Sequence, residues 1–185
     1  MDLENQDYDL SLEFIPVEVT EQIGNHIISV EQLPLDNYLE EGVMAFSEGT
    51  TFQLKVTNNG TNSTYFAVLD IEPNGRINPV VPNANVNPPV TATDCRLEPH
   101  TSKVLDPVFI IYPPYGLETY KLLAGPSPID TEPIITRVIT RGPGMNPLEL
   151  LLDDTFSTRG TGTVGITSNP NAGASRNIIF RIVPK

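Results

Sequence analysis

Tryptophan is absent from these 185 residues, cysteine occurs once and histidine twice. A single cysteine, Cys95, excludes an internal disulfide and a cysteine-based metal cage. As an unpaired thiol it favours a reducing compartment such as the cytoplasm, and its plainest expectation is a small apolar residue packed in a strand. A Ser-His-Asp or Cys-His arrangement must draw on His26 or His100. His100 has Asp94, Cys95 and Ser102 close by in sequence, but neighbours along a strand or turn seldom converge, and no glycine-flanked nucleophile elbow accompanies them. His100 reads instead as a turn residue in Glu98-Pro99-His100-Thr101. There is no histidine pair at helical spacing, no cysteine pair and no Asp-x-Asp-x-Asp calcium loop. No catalytic residue, cofactor site or metal site is therefore expected.

Basic residues are missing from the first part of the chain: the first Lys or Arg is Lys55, whereas twelve Asp and Glu lie between Asp2 and Glu48. From residue 49 onward eleven acidic and eleven basic residues balance, so the net charge of −12 belongs to the opening quarter. Such a surface repels nucleic acid and anionic membrane, whose binding depends on Lys and Arg. No run approaches the roughly 18 apolar residues of a membrane span. The start, MDLENQDYDLSLEF, has no basic region followed by an apolar stretch and reads as no signal peptide. A piece of a longer protein would also lack one, which leaves the compartment open.

Proline and glycine are plentiful, 18 and 13, and spread along the chain, leaving little room for long helices. Phe52, Leu54 and Val56 alternate with Gln53, Lys55 and Thr57, the period of a half-buried strand. Asn58-Asn59-Gly60-Thr61-Asn62 reads as a turn. TYFAVLDI (64–71) and RINPVV (76–81) flank Pro73-Asn74-Gly75 and read as a hairpin. Val86 to Val90 is a proline-broken loop. Further strands are expected around 93–98, 102–111, 118–124, 134–140 and 177–183, with weaker ones at 10–15 and 26–31. Tyr120, Leu122 and Ala124 share one face, as do Ile178, Phe180 and Ile182. One short helix fits 147–153, with Asn146 as cap, Pro147 in the first turn, and Leu148, Leu151 and Leu152 on one side. Short strands between turns with one helix point to an all-β antiparallel sandwich, immunoglobulin-like or related. Residues 1–48 form an acidic leader with one or two strands packed on or linking to it, and 49–185 the sandwich.

Three motifs remain. Gly160-x-Gly162-x-x-Gly165 has the letters of a dinucleotide fingerprint, but a helix precedes it, Ile166-Thr167-Ser168-Asn169-Pro170 follows, and no downstream acid exists to hold a ribose. Asn59-Gly60-Thr61 and Asn62-Ser63-Thr64 match glycosylation acceptors by pattern, but they also make a good hairpin turn, and the turn reading wins outside a secreted eukaryotic protein. Tyr112-Pro113-Pro114-Tyr115-Gly116 sets rigid aromatics beside prolines, which lose little entropy on docking. Tyr112, Pro113, Pro114 and Tyr115 are the candidate interaction surface.

TFQLKV at 51–56, TYFAVLDIEPNGRINPVVPN at 64–83 and PPYGLETYKLLAGPSP at 113–128 carry a resemblance. Asn74-Gly75, Pro82-Asn83, Pro114-Tyr115-Gly116 and Ala124-Gly125-Pro126 supply its punctuation. Together the segments resemble an uncharacterised accessory domain that bacteria place C-terminal to caspase-like (metacaspase-type) peptidase domains. The match covers a little under half of the chain, and its motifs identify a domain better than an activity. What the resemblance implies is context: a non-catalytic module for recognition, assembly or regulation. Its partner would be protein, namely a caspase-like domain in the same polypeptide or that domain's substrates. Metacaspase-type enzymes favour cleavage after Arg or Lys, so residues 1–54, which contain neither, would form a linker their own peptidase cannot cut. A carbohydrate-binding or adhesive sandwich is the alternative, with Tyr112, Tyr115 and Tyr120 replacing the missing tryptophan as stacking platforms. A hydrolase built on His100 and Cys95 is the third class.

Overall fold

The computed structural model describes residues 8–24, 26–131 and 173–185. Its strands are β1 (Leu10–Ile23), β2 (His26–Gln32), β3 (Leu39–Glu40), β4 (Val43–Ser47), β5 (Thr51–Asn58), β6 (Thr64–Ile71), β7 (Ile77–Val81), β8 (Arg96–Leu97), β9 (Ser102–Val104), β10 (Phe109–Ile110), β11 (Gly116–Gly125) and β12 (Ala174–Val183), with a 3-10 turn at Leu35–Tyr38. They form two sheets. One runs β10-β5-β1-β2, with β9 also on β5. The other runs β3-β4-β12-β11-β6-β7, with β8 also on β6. Within the named ladders only β12 and β4 pair in parallel. The architecture is an all-β sandwich.

Sequence chemistry explains the local choices. Glu72-Pro73-Asn74-Gly75 closes the β6–β7 hairpin: Gly75 N–H donates to Glu72 C=O at 2.8 Å and Gly75 sits at φ 84°, a left-handed position that favours glycine. β9 and β10 both pair with β5 but are separate strands. Asp106-Pro107 lies between them, where proline has no N–H to continue a ladder. The first 48 residues supply strands to both sheets, and strands across residue 48 pair: β1 with β5, and β4 with β12.

The core fills the space between the sheets. Leu10, Leu12 and Phe14 of β1 and Phe52, Leu54 and Val56 of β5 meet Phe46, Phe66, Val68, Tyr120, Leu122, Phe180 and Ile182 from the facing sheet. Phe14 lies at the centre, its ring 5.0 to 5.5 Å from those of Phe52, Phe180, Tyr120 and Phe46. Offset and edge-on aromatic contacts of this kind add to plain area burial. A smaller core, Ala67, Leu69, Ile77, Leu123 and Ile129, covers the opposite face of β6 and β11. Phe66-Ala67-Val68-Leu69 of β6 is thus buried and apolar on both faces, while β5 alternates cleanly. The expected helix at 147–153, the strand at 134–140 and the glycine motif at 160–165 lie outside the described residues.

Candidate interaction surface

The loop from Ile111 to Gly116 is held at both ends. Ile111 is buried; its N–H donates to Thr50 C=O and its C=O accepts from Gly49 N–H, each at 2.9 Å. At the other end Gly116 sits at φ 134°, and a Cβ there would stand 3.3 Å from Pro73 Cγ. Glycine is thus required by backbone angle and by its close approach to the β6–β7 turn. Tyr115 Oη donates to Glu48 Oε2, and this bond holds the phenol proton and raises its pKa. Fixed in this way, the loop leaves Tyr112 63% and Tyr115 45% exposed, with Pro113 exposed beside them.

The outward face of β11 and β12 extends the surface. Leu117 pairs with Arg181 and Thr119 with Ile179, so Leu117 and Ile179 are diagonal neighbours on that face. They are 57% and 56% exposed. Sequence reasoning misses Leu117 and Ile179; their signal is an odd-numbered apolar residue opposite the core-facing run Tyr120-Leu122-Ala124 and Ile178-Phe180-Ile182. Tyr120 corrects the sugar-platform reading. Strand alternation sends its ring into the aromatic core, 5.1 Å from Phe180, so only Tyr112 and Tyr115 are available to a ligand.

A second feature escapes the sequence. Asp70 of β6 follows Phe66 and Val68 on the core-facing side, and Glu118 of β11 precedes Tyr120 and Leu122 there; Asp70 and Tyr120 are direct cross-strand partners. Burial pushes Glu118 up to about 8, helped by the charge of Asp70, and pushes Asp70 up to about 6. Asp70 Oδ2 accepts from Asn78 Nδ2 at 3.5 Å. Its Oδ1 is buried without an amide or hydroxyl donor. Glu118 and Asp70 share a side-chain hydrogen bond, which the raised pKa of Glu118 lets it donate near neutral pH. The signal in the sequence is an acid standing at an apolar position of each strand.

Cys95 is fully buried and burial pushes its thiol up to about 12, so it stays protonated and inert at neutral pH. Its carbonyl accepts from Phe66 N–H at 2.8 Å. His100 is exposed in the turn before β9, at φ 56°. Asn58 organises the β5–β6 turn: its Oδ1 accepts from Gly60 N–H and its Nδ2 reaches the carbonyls of Asn62 and Glu98. Among the described residues no three His, Cys, Asp or Glu are grouped to hold a metal ion. Likewise, no helix among them is long and apolar enough to cross a membrane. No family model, curated protein or solved structure matches the chain.

Proposed function

We propose that this chain is a non-catalytic protein-interaction module acting through the surface of Tyr112, Pro113, Tyr115, Leu117 and Ile179, in the setting of a bacterial caspase-like multidomain protein. The observation that carries the reading is the exposure of Tyr112 and Tyr115 on a loop pinned at both ends. Ordered aromatics give up little entropy on binding, and they adjoin two exposed aliphatic side chains. The peptidase context rests on the resemblance of residues 51–130 alone.

The test immobilises the whole chain, passes lysate of the source organism over it and identifies what is retained by mass spectrometry. A caspase-like peptidase or its substrates should be held, and Tyr112→Ser with Leu117→Ser should weaken that retention about tenfold or more, as for loss of a central anchor. Retention of glycans or envelope material alone, insensitive to the double variant, would replace this reading with the carbohydrate-binding one.

A further inference from the structure

We propose that the free edge of β1 from Leu10 to Phe14 is a docking slot for one extended segment of a partner protein, with branched apolar residues in alternation and Lys or Arg at its flanks. This site lies on the other sheet from the tyrosine surface and stands independently of it.

The slot follows from how β1 shares its partners. Residues 10–17 pair with β5, and residues 17–23 pair with β2 on the opposite side. Thr51 Oγ1 and Asn59 N–H bond Val17 C=O and Asp9 C=O from the β5 side, so odd-numbered residues in this half of β1 direct their backbone groups there. Even-numbered ones point away, as Leu33 N–H to Pro16 C=O at 2.8 Å shows. That bond is the last rung of the β2 side. Pro34 then turns the chain into the 3-10 segment at φ −62°. The rungs of Phe14, Leu12 and Leu10 beyond it have no strand beside them among the described residues. Alongside runs an apolar groove of about 330 Å³, walled by Phe14, Pro16, Leu33, Leu35 and Met44. An unpaired edge offers main-chain bonds to an extended segment, and a groove beside it receives alternate side chains.

Charge selects the occupant. Residues 8–48 carry nine carboxylates and no Lys or Arg. Among the described residues, Lys55 and Arg176 beside β1 are already engaged by Glu13 and Asp9. A second copy entering the slot would bring the same acidic edge against itself, whereas a basic segment relieves the repulsion.

The probe is the peptide acetyl-Lys-Val-Thr-Val-Thr-Val-Arg-amide, added to the whole chain and followed by amide hydrogen exchange. In the free chain the amides of Leu10, Leu12 and Phe14 should exchange much faster than those of Ser11, Glu13 and Ile15. The peptide should slow Leu12 and Phe14, and N-methylation at its alternate residues, which leaves charge intact, should weaken binding about tenfold. Equal binding of the N-methylated or a Glu-flanked peptide would overturn the proposal. Slow exchange of Leu12 and Phe14 in the dilute free chain would also overturn it, since the chain would then cover its own edge. So would protection that grows with chain concentration alone, because a second copy would then fill the slot.

Discussion

From Leu10 to Val17, β1 lies against β5 and sends Leu10, Leu12 and Phe14 into the core; from Glu18 to Ile23 its one partner among the described residues is β2, and nearly every residue is exposed. Among the described elements, β2 packs on β1 and scarcely on any other. The same strand therefore has an inner half held by a facing sheet and an outer half that projects as a two-stranded arm. Burial alternation belongs to the inner half because something stands opposite it. The outer half keeps β-branched residues, which suit the pleat, without gaining a core from them.

Removing a ring from the inner half should break the fold, and trimming the outer half should not. Phe14→Ala deletes the centre of the aromatic cluster and should cost about 3–5 kcal/mol. Ile23→Ala, at an exposed arm position, should stay within about 0.5 kcal/mol. Denaturant unfolding of both variants measures the contrast, and similar losses would mean that the arm packs on the sandwich in solution.

Like charges sharpen the same contrast. The interior pair, Asp70 and Glu118, has folded-state pKa values of about 6 and about 8. The unfolded chain releases these protons above about pH 4. The folded chain thus holds more protons between about pH 4 and pH 8, so this contribution to stability is greatest at the acid end and falls as pH rises through that window. Glu118→Gln removes the charge and keeps a hydrogen-bond donor beside Asp70. It should match the parent near pH 4 and become progressively more stable than the parent as pH rises towards 8. Thermal unfolding between about pH 4 and pH 9 measures this; parallel curves for the two proteins would show that Glu118 ionises normally.

The fold was legible where one face of a strand is buried. Phe52-Leu54-Val56, Tyr120-Leu122-Ala124 and Ile178-Phe180-Ile182 announce their direction by alternation, and Pro73-Asn74-Gly75 announces its turn. The loop of Tyr112 and Tyr115 was legible from composition, because proline and tyrosine limit their own freedom. Less could be read from the leader, whose carboxylates mask the alternation of Leu10, Leu12 and Phe14. Long-range register was not legible at all. Nothing local says that Glu118 meets Asp70, that Ile179 sits beside Leu117, or that β1 exchanges β5 for β2 at Val17. Those facts depend on pairing between segments far apart in sequence, and a one-residue slip would reverse each of them.

The smallest effect lies on the arm itself. Glu18 and Glu31 are direct cross-strand partners, and both are exposed, so their repulsion is softened by water and salt. Glu31→Lys turns this pair into one of opposite charge and should stabilise the arm by about 0.2–1 kcal/mol. With the arm opening apart from the sandwich, global unfolding should hardly register the gain, whereas amide exchange of residues 18–23 and 27–31 should slow at low salt. Adding salt should erase most of the difference. A salt-independent gain would point to packing of the new aliphatic stem instead of charge, and an equal shift in global unfolding would mean that arm and sandwich open together.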